Sequence, residues 1–240
     1  MTKSMILAGM LVALVSGLML GAQSAESTPI VTSANREVQY VVPPDTVAGS
    51  TNTQASSTTS GSFNQSVSDS FNVPQQGNDS ALADQNSSIA GSVFSGTGHA
   101  NIVAEALPNI PTAHSFFDVF FDLTVPHSYL LTGSLSPVNV DGGTTTTQVQ
   151  LTGPGTNVSF LEDENGLSTL PFSQGGVLGV GSYHLLASVD SSGDGGFTFV
   201  QAGWDFTLAL QEQRVEVPAP ATILLFGMSL VVLVGVAQRR

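Results

Sequence analysis

Phe116-Phe117-Asp118-Val119-Phe120-Phe121-Asp122-Leu123-Thr124-Val125 is the stretch from which the fold is read. Phe117, Val119, Phe121, Leu123 and Val125 form an unbroken apolar series at every second position, while Phe116, Asp118, Phe120, Asp122 and Thr124 form a mixed one. Period two with one wholly apolar face predicts a β-strand with one side in a core. Pro126 ends it, because proline cannot donate to a ladder. Working outward, Tyr129 to Leu135 is expected as its hairpin partner, with a turn at Asp141-Gly142-Gly143. Thr144 to Leu151 alternates, Gly153-Pro154-Gly155 turns the chain, Val158 to Leu161 is a short strand, and Glu162-Asp163-Glu164-Asn165-Gly166 reads as an acidic turn. Val180 to Val189 is a further strand. In the closing stretch, Phe197 to Leu210, the apolar positions change from odd (Phe197, Phe199) to even (Trp204, Phe206, Leu208, Leu210), which predicts a bulge around Ala202-Gly203.

Toward the N-terminus the signal weakens. Phe63, Val67, Phe71 and Val73 keep one parity within a polar background, and Ser87 to Val103 repeats the style, with Gly91, Gly96 and Gly98 expected as bends or bulges. Ser50 to Gly61 is a Ser/Thr tract, too polar to pack by itself. Before it the chain is irregular, with a strand expected only over Val38 to Val42 ahead of Pro43-Pro44. Eight or nine strands, glycine turns and no helical periodicity place the middle of the chain in the all-β class, as an antiparallel β-sandwich of jelly-roll type.

The 240 residues carry 5 basic and 18 acidic side chains, a formal charge of −13. Between the terminal segments only Arg36 and Arg214 offset the acids. Such a chain repels phosphate backbones, which argues against a nucleic-acid partner. Cysteine is absent, which excludes disulfides, thiolate metal sites and a cysteine nucleophile.

No motif for catalysis stands out. His99, His114, His127 and His184 lack metal-ligand spacing, and there is no nucleophile elbow, P-loop or dinucleotide glycine pattern. Asp118 with Asp122, or Glu162, Asp163 and Glu164, supply paired carboxylates that read more simply as a solvated sheet face and a turn. Asp190 to Asp194 is oxygen-rich and broken by glycine like part of a calcium loop, but no bidentate Glu follows. A hairpin loop is expected there, with calcium on Asp190 and Asp194 as the alternative. Trp204, Tyr129 and Tyr183 are the aromatics on which a sugar could stack. No cofactor is expected.

The termini are more specific. Lys3, the apolar Met5 to Leu20 and the small residues of Ala22-Gln23-Ser24 form a secretory signal, with cleavage after Ser24 or Ala22. At the other end stand Val217-Pro218-Ala219-Pro220-Ala221-Thr222, an uncharged apolar run over Ala221 to Ala237, and Arg239-Arg240. As a helix the run would reach about 25 Å, the short end of what spans a bilayer. The arginines would stop transfer, since each costs roughly 3 kcal/mol at the bilayer centre. Pro218 and Pro220 keep the backbone before the run extended.

This tail resembles a PEP-CTERM sorting signal, the substrate of exosortases in Gram-negative bacteria. The family tripeptide is Pro-Glu-Pro, and Ala219 occupies its middle position here. Gln85-Asn86-Ser87 and Gly181-Ser182-Tyr183 are also similar to segments of ectodomains found upstream of such tails. The resemblance implies a signal peptide (1–24), an irregular segment (25–49), a β-sandwich ectodomain (50–213) and a sorting signal (214–240) made of a membrane helix (221–237) and a basic end (238–240). It further implies export through the inner membrane and processing by an exosortase-type transpeptidase. The product would be a non-enzymatic structural protein of the cell surface or extracellular matrix, with polysaccharide as a partner. The alternatives are a carbohydrate- or calcium-binding module and a permanently anchored surface protein.

Overall fold

The computed structural model describes residues 27–42, 51–73, 77–105, 110–163, 168–194 and 196–213. The expected signal peptide, with Ala22 and Ser24, lies outside them. So do the expected sorting motif Val217 to Thr222, the expected helix, and Arg239 and Arg240. Among the described residues there is no helix, and none therefore long and apolar enough to cross a membrane.

Twelve strands are described: β1 (Ile30–Val42), β2 (Thr51–Ser57), β3 (Gly61–Val73), β4 (Gly77–Ala90), β5 (Val93–Ala104), β6 (Thr112–Leu123), β7 (His127–Asp141), β8 (Thr144–Gly153), β9 (Thr156–Asp163), β10 (Leu170–Leu178), β11 (Gly181–Ser192) and β12 (Thr198–Glu212). They form two six-stranded antiparallel sheets, ordered β2-β1-β6-β11-β8-β9 and β10-β7-β12-β5-β4-β3. The sheets pack face to face as a β-sandwich. From β5 onward the chain changes sheet at almost every connection; only β8 and β9 follow each other within one.

The apolar face of β6 lies at the centre. Phe117, Val119, Phe121 and Leu123 are all buried, as the alternation predicts, because β6 is flanked by β1 and β11 and covered by the opposite sheet. Phe94 stacks on Phe121 across the sandwich, and Phe206 meets Phe117 edge-on, both at 5.0 Å between ring centres. Such contacts add to the area term that drives burial.

Several expectations are corrected. The residues from Tyr129 pair not with β6 but with β10 and β12. The chain crosses between sheets at Thr124 to Pro126, so Pro126 ends a strand without closing a hairpin. The strand before Pro43 begins at Ile30, not Val38: Ala34, Arg36, Val38 and Tyr40 share the interior side, and a charged residue inside that series hides its period. The Ser/Thr tract forms β2, an edge strand whose ladder to β1 needs no apolar face of its own.

Gly96 and Gly98 are neither bends nor bulges; they lie inside a regularly paired β5, where the Trp204 ring occupies the space a side chain would take. No bulge falls at Ala202-Gly203. The irregularity in the β12–β7 pairing is at Phe199/Val200, and Phe197 and Phe199 are exposed, so the interior parity of β12 is even throughout. The expected turns at Gly91, Gly142-Gly143 and Gly155 hold, each at positive φ. Phe63 and Val67 are buried. The side chains of Phe71, Val73 and Asp163, and residues Glu164 to Gly166 of the acidic turn, lie outside the described set; Glu162 belongs to β9.

Arg36 is the one buried cation among the described residues. Its Nη1 donates to the Gly61 carbonyl at 2.8 Å, and Nη2 donates to the Thr59 carbonyl and to Ser57 Oγ. The guanidinium sits 5.3 Å from the centre of the Phe63 ring. Burial lowers its pKa from the usual arginine range. It ties the polar β2–β3 connection to β1, where the Ser/Thr tract supplies carbonyls instead of apolar packing.

Candidate functional site

The sugar-stacking candidates are interior. Trp204, Tyr129 and Tyr183 are all buried, since each falls on the inward parity of its strand. Trp204 Nε1 donates to the Ser115 carbonyl at 3.4 Å, and its ring packs beside Phe117 and Phe206. Tyr183 donates its hydroxyl to the Gly179 carbonyl at 3.1 Å, and burial raises its pKa. None of the three offers a ring to a ligand.

The histidines are engaged within the sheets. His184 Nε2 lies 2.6 Å from Asp118 Oδ1, and its ring stacks on Phe120 at 4.2 Å. His114 Nε2 is 3.1 Å from Glu37, and His99 Nδ1 is 2.8 Å from Asp84. The hydrogen bond to Asp84 raises the His99 pKa against an opposing effect of burial, helped by the charges of Asp84 and Asp205. Strand register creates these pairs: Asp84 stands directly opposite His99, and His184 is two places along β11 from the partner of Asp118. The histidine ring nitrogens face carboxylates (Asp84, Glu37, Asp118) or, for His127, main-chain carbonyls. Asp122 shares the outer face of β6 with Asp118 but is no part of the His184 pair.

Asp190 and Asp194 do not converge. Asp190 belongs to β11, opposite His114 and Thr146; burial raises its pKa and the charge of His114 opposes that. Asp194 lies in the following loop. Its Oδ1 accepts from Thr198 Oγ1 at 2.9 Å and from the Gly196 N–H at 3.1 Å. These two bonds, with a further one from the Gly143 N–H, hold its pKa below the usual carboxylate range. The carboxylate thus staples the Gly142-Gly143 turn to the β11–β12 loop. Among the described residues no three potential metal ligands gather at a point.

The expected sorting signal follows Gln213 in the chain, at one end of the sandwich. Ser27, the first described residue, is held there on both sides of its backbone. Its N–H donates to Glu212 Oε2 at 2.6 Å, and its carbonyl lies 3.0 Å from His127 Nε2. His127 is buried, and its Nδ1 faces the Val125 carbonyl at 2.9 Å. Gln213, the last described residue, donates its N–H to the Pro126 carbonyl at 2.9 Å. The start and finish of the folded domain are therefore pinned side by side. Four residues separate Gln213 from Pro218, so Pro218 stands no more than about 18 Å along the chain from Gln213. Sequence reading misses this clamp, because His127, Ser27 and Glu212 are joined only once β7 and β12 pair.

No protein-family model matches the sequence, and no curated protein matches it. Three solved structures show distant likeness. The Bacteriophage CBA120 tailspike protein 4 enzymatically active domain aligns at 11% identity over 53% of this chain and 19% of its own, with a TM-score of 0.25. TmCBM61 in complex with beta-1,4-galactotriose aligns at 10% identity over 55% of this chain and 88% of its own, with a TM-score of 0.23. The structure of infectious bursal disease virus Gx strain aligns at 11% identity over 82% of this chain and 59% of its own, with a TM-score of 0.25. Likeness at this level assigns no activity.

Proposed function

We propose that the protein is an exported, non-catalytic structural protein of the cell surface or extracellular matrix, processed through its C-terminal tail by an exosortase-type transpeptidase. The tail is the substrate, held first as a membrane precursor and then cut near Pro218-Ala219-Pro220 for release or attachment. One observation carries this: Val217-Pro218-Ala219-Pro220-Ala221-Thr222 stands directly before an uncharged apolar run that ends in Arg239-Arg240. The clamp at Ser27, His127 and Glu212 supports it, since the motif then follows closely on a fixed edge. The ectodomain is of jelly-roll type. Orders β5-β12-β7-β10 and β6-β11-β8-β9 are the winding of an eight-stranded roll, with β4-β3 and β1-β2 lengthening one edge of each sheet. Polysaccharide is the partner most in keeping with the polar groove on the outer face of β4, β5 and β12, where Asn86, Ser88, Ser95, Thr97 and Thr207 supply hydroxyls and an amide and Asp205 a single carboxylate.

The test is fractionation with mass spectrometry in a host that makes the processing enzyme. The unaltered chain should lose Ala221 to Arg240, and Ala219→Glu should be processed as well. Changing both Pro218 and Pro220 to alanine should leave the full tail in the membrane fraction. Equal processing of the double-alanine chain would refute the role given to the prolines.

A further inference from the structure

The two ends of the sandwich differ in chemistry. Strand directions put Ser27, the Gly91-Ser92 turn, Thr124 to Pro126, Pro154-Gly155, Gly179-Val180 and Gln213 at one end. The opposite end carries Gly142-Gly143 and the β11–β12 loop, with carboxylates at Glu105, Asp190 and Asp194. The terminus-bearing end has few: Asp122 at the end of β6, and Glu212, which is occupied by Ser27. What it does have is exposed apolar surface on the outer face of one sheet. Val93 stands opposite Ala209, Ala209 opposite Leu130, and Leu130 opposite Gly175. This uncharged row crosses four strands, a width of about 14 Å. Leu130 is 50% exposed, Val177 beside the row 55%, and Val180 in the next turn 60%.

We propose that this row, with Val177 and Val180, lies in the interface of a lipid bilayer while the protein is tethered, so that the domain leans on the membrane through the sheet of β7 and β12. The inference rests on the reading of Ala221 to Ala237 as a membrane anchor. Seven residues separate Gln213 from that run, a reach of about 29 Å at most, which confines the domain to the membrane surface. Charge favours this end over the other. Strands of twelve residues set the acidic end about 35–40 Å along the sheet, so a lean on the terminus-bearing end lifts it beyond a Debye length from any anionic headgroup, whereas the reverse orientation would press it against them. An apolar fringe that water would otherwise wet gains by entering the headgroup boundary.

The absence of cysteine makes the test direct. Single cysteines replacing Val180, Leu130 or, at the acidic end, the exposed Phe197 are labelled with an environment-sensitive fluorophore in the full-length chain. The chain is then reconstituted into phosphatidylethanolamine–phosphatidylglycerol vesicles containing brominated lipid. Labels at 180 and 130 should shift to the blue and be quenched several-fold more than the label at 197. With the label at 180, the double substitution Leu130→Asp and Val177→Asp should abolish the difference while the protein still floats with the vesicles. Protein that floats but shows equal quenching at 180 and 197 overturns the docking proposal and leaves the anchor standing. Protein that does not float refutes the anchor reading, and the docking with it. Shielding at 180 that appears only with the processing enzyme present, without lipid quenching, overturns lipid in favour of a protein partner.

Discussion

Replacing Phe121 by alanine should be far more damaging than the same change one residue earlier. Phe121 is fully buried, stacked on Phe94 at 5.0 Å and on Tyr183 at 5.7 Å. Deleting it removes a large apolar side chain and leaves a cavity between sheets that backbone ladders hold in place, a cost of about 3–5 kcal/mol. Phe120 points the other way, is 42% exposed and stacks on the His184 ring. Its partial burial and one ring contact make the expected loss about 1–1.5 kcal/mol. Against a total stability of about 5–15 kcal/mol, Phe121→Ala brings the domain near its limit and Phe120→Ala does not. Equilibrium unfolding in urea measures both, followed by the emission of Trp204, the sole tryptophan, buried in the same core. Midpoints should move by clearly different amounts at a common slope. Equal losses, or a greater loss for Phe120→Ala, would refute the placement of the Phe121 face of β6 between the sheets.

Gly98→Ala should destabilise by at least about 1–3 kcal/mol and perturb the Trp204 emission, because the new Cβ would strike Ser115 Oγ and come 2.5 Å from the indole; unchanged fluorescence would count against the Gly98–Trp204 packing. The raised pKa of His99 makes a stability contribution that is present below the unfolded histidine value of about 6.5 and lost as pH rises through the folded value. Asp84→Asn should remove that pH dependence, with the effect modest because the pair is partly exposed to water. Tracking the His99 ring by NMR through the titration checks the assignment, and an unaltered midpoint in Asp84→Asn would contradict it.

The β6 face, the Gly153-Pro154-Gly155 hairpin turn and the all-β class are legible in the chain because each rests on local periodicity or turn chemistry. Sheet membership is not. That Tyr129 to Leu135 crosses to the other sheet depends on partners such as Phe206 and Leu208, some 75 residues further along, and local alternation is the same either way. Arg36 hides β1, because a guanidinium satisfied by main-chain carbonyls stands where the pattern needs an apolar residue. Phe197 and Phe199 mislead in the opposite sense, being apolar yet outward-facing. The His184–Asp118 and His114–Glu37 pairs join residues 66 and 77 apart, and nothing in local spacing marks them. The proposed sorting motif rests on residue order alone: two prolines around Ala219, an uncharged apolar run and a charged end.

The most direct measurement is the intact mass of the protein recovered from the surface of a cell that makes the processing enzyme. The expected mass is that of a chain lacking both the signal peptide and Ala221 to Arg240. A surface-exposed chain still carrying Arg240 would contradict processing and reduce the tail to a plain anchor.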